Sequence, residues 1–416
     1  MKYNIIIPSV ILVLTVSCSK KEENKAPTPE VKNAPVAVMN YAQGEELITP
    51  APQDLKDHKR KALKTSSRAR AKPFKLYEGV VHKFPFTSSQ PQVMVPGYFS
   101  GGKQVEFAVI THNQVIFFDQ AGKKLGESQS VLNPKLAVAV RLKGKKVDAL
   151  VASYGRGRKR DTAPVSLMLY TLENQKVTSQ QIMSVATERA DVSDLQTDSQ
   201  GNILMAYYIS KYEVQFSIFE QPFKSEKKIR AMKMISGVYP FEYKGQKSWA
   251  LGRLYGDTPG SDGDAWILTQ KDAVKVPSLR GLRSIFAFDA DGDKKDELFL
   301  GDGWDKNYGQ VAKGQITMIK VSPDGKFTST KVAEFKDDFA VTQMELCDVD
   351  GDKKKELVVK GNNTLHVVFP HDKWKAVKLA DLTSFEKFHC ADLSGNGKES
   401  IIITKPWIAA ISYGKK

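Results

Sequence analysis

The chain is poor in the residues that do redox, thiolate and imidazole chemistry. Its 416 residues include three cysteines and six histidines. Those histidines, at positions 58, 82, 112, 366, 371 and 389, fall at no spacing that would ligate a metal. The H-E-x-x-H, C-x-x-C, nucleophile-elbow and phosphate-loop patterns are missing, which removes the enzyme classes that depend on them. Acidic residues are also outnumbered: 47 Asp and Glu face 62 Lys and Arg, a formal net charge of +15. A surplus of that size invites an acidic partner. No helix-turn-helix, RRM, KH or zinc-finger pattern accompanies it, so nucleic acid is not an expected partner.

What is there begins at the N-terminus. "MKYNIIIPSVILVLTVSCSKK" sets one Lys ahead of an apolar run too short to span a bilayer comfortably, followed by small residues before Cys18. This reads as a secretory signal. Its end, "LTVSC", resembles the lipobox of bacterial lipoproteins. The resemblance implies cleavage before Cys18, acylation of that residue, and a mature protein anchored to the membrane by lipid. Under the sorting rule of enteric bacteria, Ser19 directs such a protein to the outer membrane. Residues 1–18 are therefore assigned to the signal and a cell-envelope location is expected.

Residues 19–74 contain "APTPEVKNAPVAV" and "ITPAPQ" with no sustained apolar period, which reads as a disordered tether. A random coil of that length spans on the order of 40 Å. Its second half is basic (Lys56, Lys59, Arg60, Lys61, Lys64, Arg68, Arg70, Lys72), suiting either anionic polymers or an extended solvated linker.

The informative stretch is "FAFDADGDKKDELFLGDG", residues 286–303. With Asp289 as position 1, carboxylates stand at 1, 3, 5 and 9 (Asp289, Asp291, Asp293, Glu297), with the Lys295 carbonyl at 7. A hard cation such as calcium takes six or more oxygens, and alternate residues of a tight loop can supply them. The flanks are β-branched and aromatic, so strands should enter and leave. The pattern recurs as Asp348, Asp350, Asp352, Lys354 and Glu356, and more weakly as Asp392, Ser394, Asn396 and Ser400. Tight hairpins that use Asp, Asn and Gly for backbone reasons would look the same.

Degenerate copies start at Tyr98, Val140, Asp194 and Phe241, giving seven starts 42 to 59 residues apart. Seven units of that mean length fill residues 75–416. Each unit shows an apolar strand, the loop, a strongly apolar strand such as "ELFLG", and two more strand-like runs. Four antiparallel strands per unit is the signature of a propeller blade. The expected fold is all-β, a seven-bladed β-propeller over residues 75–416.

"DADGDKKDELFLG", "DVDGDKKKELVVKG" and "DLSGNGKESIIIT" resemble the FG-GAP/VCBS repeats of integrin α-subunit heads and bacterial surface proteins. The sequence departs at position 6, where Lys294 and Lys353 replace Gly. If the backbone there is left-handed, Lys costs about 1 kcal/mol more than Gly. The resemblance implies structural Ca2+ in loops joining the innermost strand of a blade to the second, on one face. It also implies that an N-terminal strand, here within "FKLYEGVVHKFPF" (74–86), completes the last blade.

On the opposite face, long connections carry exposed-type aromatics beside charges. These are Tyr154, Arg156, Arg158, Lys159 and Arg160, then Tyr255, Asp257, Asp262, Asp264 and Trp266, then Asp302, Trp304, Asp305 and Tyr308. Such mixtures suit recognition of a protein or glycan. Two readings follow: a lipid-anchored, non-catalytic binding module, or a polysaccharide lyase-like enzyme using the Tyr154 to Arg160 loop. Cys347 and Cys390 sit just ahead of successive loops on opposite faces of their strands. They can form a disulfide between stacked blades or remain two buried thiols.

Overall fold

The computed structural model describes residues 74–84, 93–129, 134–155, 164–254, 263–269, 272–277, 281–302, 314–335, 340–361, 364–382, 387–404 and 408–414. The signal and most of the tether, residues 1–73, lie outside them. The described residues form strands and turns without a helix.

Two short strands come first, β1 (Lys75–Leu76) and β2 (Val80–Lys83). Blade one is β3 (Val93–Gly97), β4 (Glu106–Ile110), β5 (Gln114–Phe118) and β6 (Lys124–Gln129). Blade two is β7 (Pro134–Arg141), β8 (Asp148–Tyr154), β9 (Pro164–Glu173) and β10 (Lys176–Ala186). Blade three is β11 (Val192–Thr197), β12 (Ile203–Tyr208), β13 (Glu213–Phe219) and β14 (Glu226–Lys233). Blade four is β15 (Ile235–Tyr243), β16 (Gln246–Arg253), β17 (Ala265–Leu268) and β18 (Ala273–Val276). Blade five is β19 (Leu282–Phe288), β20 (Glu297–Asp302), β21 (Gly314–Val321) and β22 (Phe327–Phe335). Blade six is β23 (Val341–Cys347), β24 (Glu356–Gly361), β25 (Thr364–Phe369) and β26 (Lys375–Asp381). Blade seven is β27 (His389–Ala391), β28 (Ser400–Ile403) and β29 (Ala409–Ser412).

Each blade is an antiparallel meander, and the seven sheets make the expected seven-bladed propeller. The first strands β3, β7, β11, β15, β19, β23 and β27 neighbour one another in sequence, and β27 returns to β3. Seven buried apolar cores, one between each adjacent pair of blades, run round the ring. This explains the continuous apolar second strands. In β4, β8, β12, β20, β24 and β28 every residue is buried, because a blade covers each face. Outer strands such as β10 and β14 carry exposed polar residues.

The N-terminal segment closes the ring as expected, and does more. β2 pairs with β29 as the fourth strand of blade seven, Val81 opposite Ile411. β1 pairs with β26 as a fifth strand on blade six, and Phe84 packs its ring 4.7 Å from that of Phe107 in blade one. Eleven residues thus touch three blades. The copy that starts at Phe241 is tighter than the repeat suggests: β15 turns into β16 through Lys244 and Gly245 alone, with φ of 52° and 73°. Two consecutive left-handed residues make the hairpin turn whose twist matches the strands.

Candidate metal loops and the channel mouth

All three acidic loops join a first strand to a second, and their carboxylates are first of all turn formers. Asp289 accepts hydrogen bonds from the Gly292 and Lys294 amides at 2.7 and 2.8 Å, and Asp293 accepts from Lys295 at 2.8 Å. Asp348 accepts likewise from Gly351 and Lys353, and Asp352 from Lys354. Asp392 accepts from Gly395 and Gly397, and Asn396 from Lys398. Glu297 and Glu356 close their loops by accepting from Ala290 and Val349. Lys294 and Lys353 adopt φ of 68° and 70°, the left-handed region, where Gly397 stands in the third loop.

The loops differ in how well they suit a cation. Ligand atoms of Asp289, Asp291 and Glu297 lie within 4.8 Å of one another, and so do those of Asp348, Asp350 and Glu356. Among the described residues Asp392 belongs to no such group. In blade five a cation is already built in: the Lys320 ammonium on β21 bonds Asp291 and lies 3.8 Å from Glu297. The strand register puts Phe369 at the equivalent place in blade six. Without that ammonium, burial and then the charges of Asp350, Asp352 and Asp348 push the Glu356 carboxyl up to about 7. Glu297 is raised too, by burial first, but Lys320 pulls against it. The blade-six donor set fits calcium best, being acidic, compact and uncompensated.

On the opposite face one expectation needs correcting. Tyr154 is the last residue of β8 and is buried, its hydroxyl 2.9 Å from that of Tyr170 between blades one and two. The strand runs one residue further than the loop reading assumed, so its ring joins the core. Asp264 and Trp266 also turn inward: Asp264 takes bonds from Arg253 Nε at 2.5 Å and from the Trp266 indole at 2.8 Å. Arg156, Arg158, Arg160, Tyr255, Asp257, Trp304, Asp305 and Tyr308 lie outside the described residues. The chain leaves the ring towards them at Gly155, Leu254 and Asp302, all on this face. Two aromatics that the sequence reading missed are nearby. Tyr212, on the β12–β13 turn, is 54% exposed, and Tyr208 carries the Arg189 guanidinium 3.8 Å over its ring.

The first strands enclose a central channel of about 710 Å3. Their free edges would leave backbone groups unpaired, and neighbouring side chains supply the partners. Asp194 accepts from Val238 N at 2.9 Å across blades three and four. Gln343 both accepts from and donates to the backbone of Phe388, and Glu345 accepts from Cys390 N. Enclosure in the channel raises the Glu345 carboxyl and lowers His389, the latter with help from Lys387. Cys347 on β23 and Cys390 on β27 are joined as a disulfide, Cα to Cα 6.0 Å.

Five first strands share a one-residue bulge at their channel-mouth end, at Lys135, Ser193, Ser236, Arg283 and Thr342. Four of these side chains are used locally. Lys135 pairs with Asp191, Ser193 donates to the Ile235 carbonyl, Ser236 donates to the Leu282 carbonyl, and Thr342 donates to Gly361 O. Arg283 is the exception, its Nε buried with no hydrogen-bond partner.

No protein-family model matches the sequence, and no curated protein matches it. Among solved structures the chain is similar to BBS1N in complex with ARL6DN. One such structure, soaked with lead, has a TM-score of 0.52 at 7% identity, covering 82% of this chain and 98% of that one. A second, soaked with mercury, has a TM-score of 0.50 at 10% identity with the same coverage. Saccharomyces cerevisiae Sqt1 follows at a TM-score of 0.47 and 8% identity, covering 82% of this chain and all of that one. At 7% and 10% identity the likeness to the two BBS1N structures is one of fold alone, and it supports the seven-bladed β-propeller.

Proposed function

We propose that this propeller is a non-catalytic binding module, held at the cell envelope by lipid on Cys18, that recognises a protein or glycan with the face opposite its acidic loops. One observation supports the reading: β8, β16 and β20 all end towards one face, from which the chain leaves for its long connections, and exposed Tyr212 and the Arg189 guanidinium stand on that face. Rigid aromatics beside charges suit recognition. The propeller of BBS1N, similar in fold, is itself seen in a complex with a protein. Capture from envelope extract by the full chain, compared with a Tyr212→Ala, Tyr255→Ala, Trp304→Ala variant, tests this. Retention of one partner by the parent alone is expected. Turnover of an acidic polysaccharide would instead favour the lyase-like reading.

Calcium on this reading is structural, and it belongs to the blade-six loop first. Asp348, Asp350, Asp352, the Lys354 carbonyl and Glu356 would hold it; in blade five Lys320 competes with it for Asp291 and Glu297. The ion would supply the positive charge that pins the loop, and nothing more. At a hundred times Kd, a bound ion stabilises by about 2.7 kcal/mol. Calorimetry in calcium against chelator should show that stabilisation. It should vanish in Glu356→Gln and in Phe369→Lys, which installs the blade-five arrangement.

The pH dependence has a fixed sign. Glu356 titrates higher in the fold than in the unfolded chain, so without metal the fold loses stability as pH rises from the ordinary carboxylate range to about 7. Calcium needs the ionised form, so its stabilising effect should grow between pH 5.5 and 8. An effect that is flat or falling over that range would remove Glu356 from the ligand set.

A further inference from the structure

Arg283 stands where the repeat elsewhere uses a side chain to tie the ring together. Ser193 and Ser236, at the same bulge in blades three and four, each bond the next blade's backbone. The requirement at this position is therefore met by a hydroxyl. Blade five instead spends a long, permanently charged side chain there. It gains no bond at the buried Nε.

The surroundings say what would satisfy it. Arg283 lines the central channel, and it lies near enough to the Tyr208 phenol to act on its ionisation alongside Arg189. The acids nearby are already engaged. Asp191 faces Lys135 at 3.4 Å and Arg189 at 3.2 Å. Asp194 is held by Lys387 at 3.1 Å and by Val238 N. Glu345 accepts from Cys390 N, with His389 4.0 Å away. Asp191 already serves two cations and Asp194 one, which leaves Arg283, among the described residues here, as the cation with no acid beside it. Arg283 as a whole is half-buried, but a donor such as its Nε, buried without a partner, is costly, and the guanidinium's fork of donors matches a carboxylate in two-point contact. The channel volume lies within the range of small-ligand sites.

We propose that the mouth of the central channel is a carboxylate-binding site with Arg283 as its anchor. The carboxylate can come from a free small acid or from an acidic side chain of a protein. The residues that make this site are all described ones, and none belongs to the long connections. Lys387, which also lines the channel, adds favourable long-range charge.

The test uses the full chain in saturating calcium, titrated calorimetrically with sodium succinate and, separately, with a blocked hexaglutamate peptide at low and high salt. Binding of either probe is expected, at least tenfold weaker in Arg283→Ser and weakened to an intermediate degree in Arg283→Lys. Arg283→Ser installs the residue of blades three and four, so its melting temperature should equal or exceed that of the parent. Binding of succinate alone assigns a small acid, and binding of the peptide alone assigns a protein carboxylate; both uphold the site. No binding of either probe, or binding that Arg283→Ser leaves unchanged, overturns it.

Discussion

Deleting residues 74–84 from the otherwise complete chain should abolish cooperative unfolding and leave an aggregating protein. The segment supplies the outer strand of blade seven through β2, caps blade six through β1, and leads to Phe84 on blade one. Among the described residues, the core that its last residue, Phe84, helps to close has eight buried members between blades seven and one, against eleven or more in each of the others. Phe74, Leu76, Val81 and Phe84 pack against buried cores. A fully buried apolar side chain stabilises by about 1.5–3 kcal/mol, so even partial burial of several is a large part of the 5–15 kcal/mol typical of a folded domain. The deletion also strips β29 of its neighbour, leaving an unpaired edge that templates association. Calorimetry and light scattering read the outcome. A deletion variant that stays monomeric and melts within a few degrees of the parent would show that the ring closes without its clasp.

What could be read from the sequence was whatever repeats locally. Acids at positions 1, 3, 5 and 9 are legible because each must cap a nearby amide before it can do anything else. The hydrogen bonds of Asp289, Asp348 and Asp392 repeat almost atom for atom. The ring followed from counting those turns, and the clasp from the strand that the count left missing.

The misses share a cause, which is that they depend on register between distant strands. Lys320 lies 23 residues beyond Glu297 in the chain, and only the β20–β21 pairing brings it to the acidic loop. Arg283 owes its position to a bulge, which shifts one residue without altering the apolar pattern on either side. Tyr154 closes a strand whose seven positions are all buried, so no alternation remained to mark which residue was inside. Even Ser153, the polar residue just before Tyr154, is buried with its hydroxyl on the Leu136 backbone, so it marks no outward face.

Replacing both Cys347 and Cys390 with Ala should cost about 4 kcal/mol, the loop-closure value for a separation of 43 residues. For a domain of roughly 340 residues that is a fall of about 5–6 °C in Tm. The size follows from what else holds β27 in place. This first strand is three residues long, the shortest of the ring, and joins blade six through Gln343 on Phe388 and Glu345 on Cys390. Hydrogen bonds of that kind contribute about 0.5–1.5 kcal/mol each, so the covalent bridge outweighs them singly and roughly equals them together. Glu345→Gln should therefore cost much less than the double Cys variant. Loss of Glu345 and of the bridge together should exceed the sum of the two, because each limits how far β27 departs when the other is gone. Urea midpoints for the four proteins measure this coupling; strictly additive values would mean that the bridge and the carboxylate hold β27 independently.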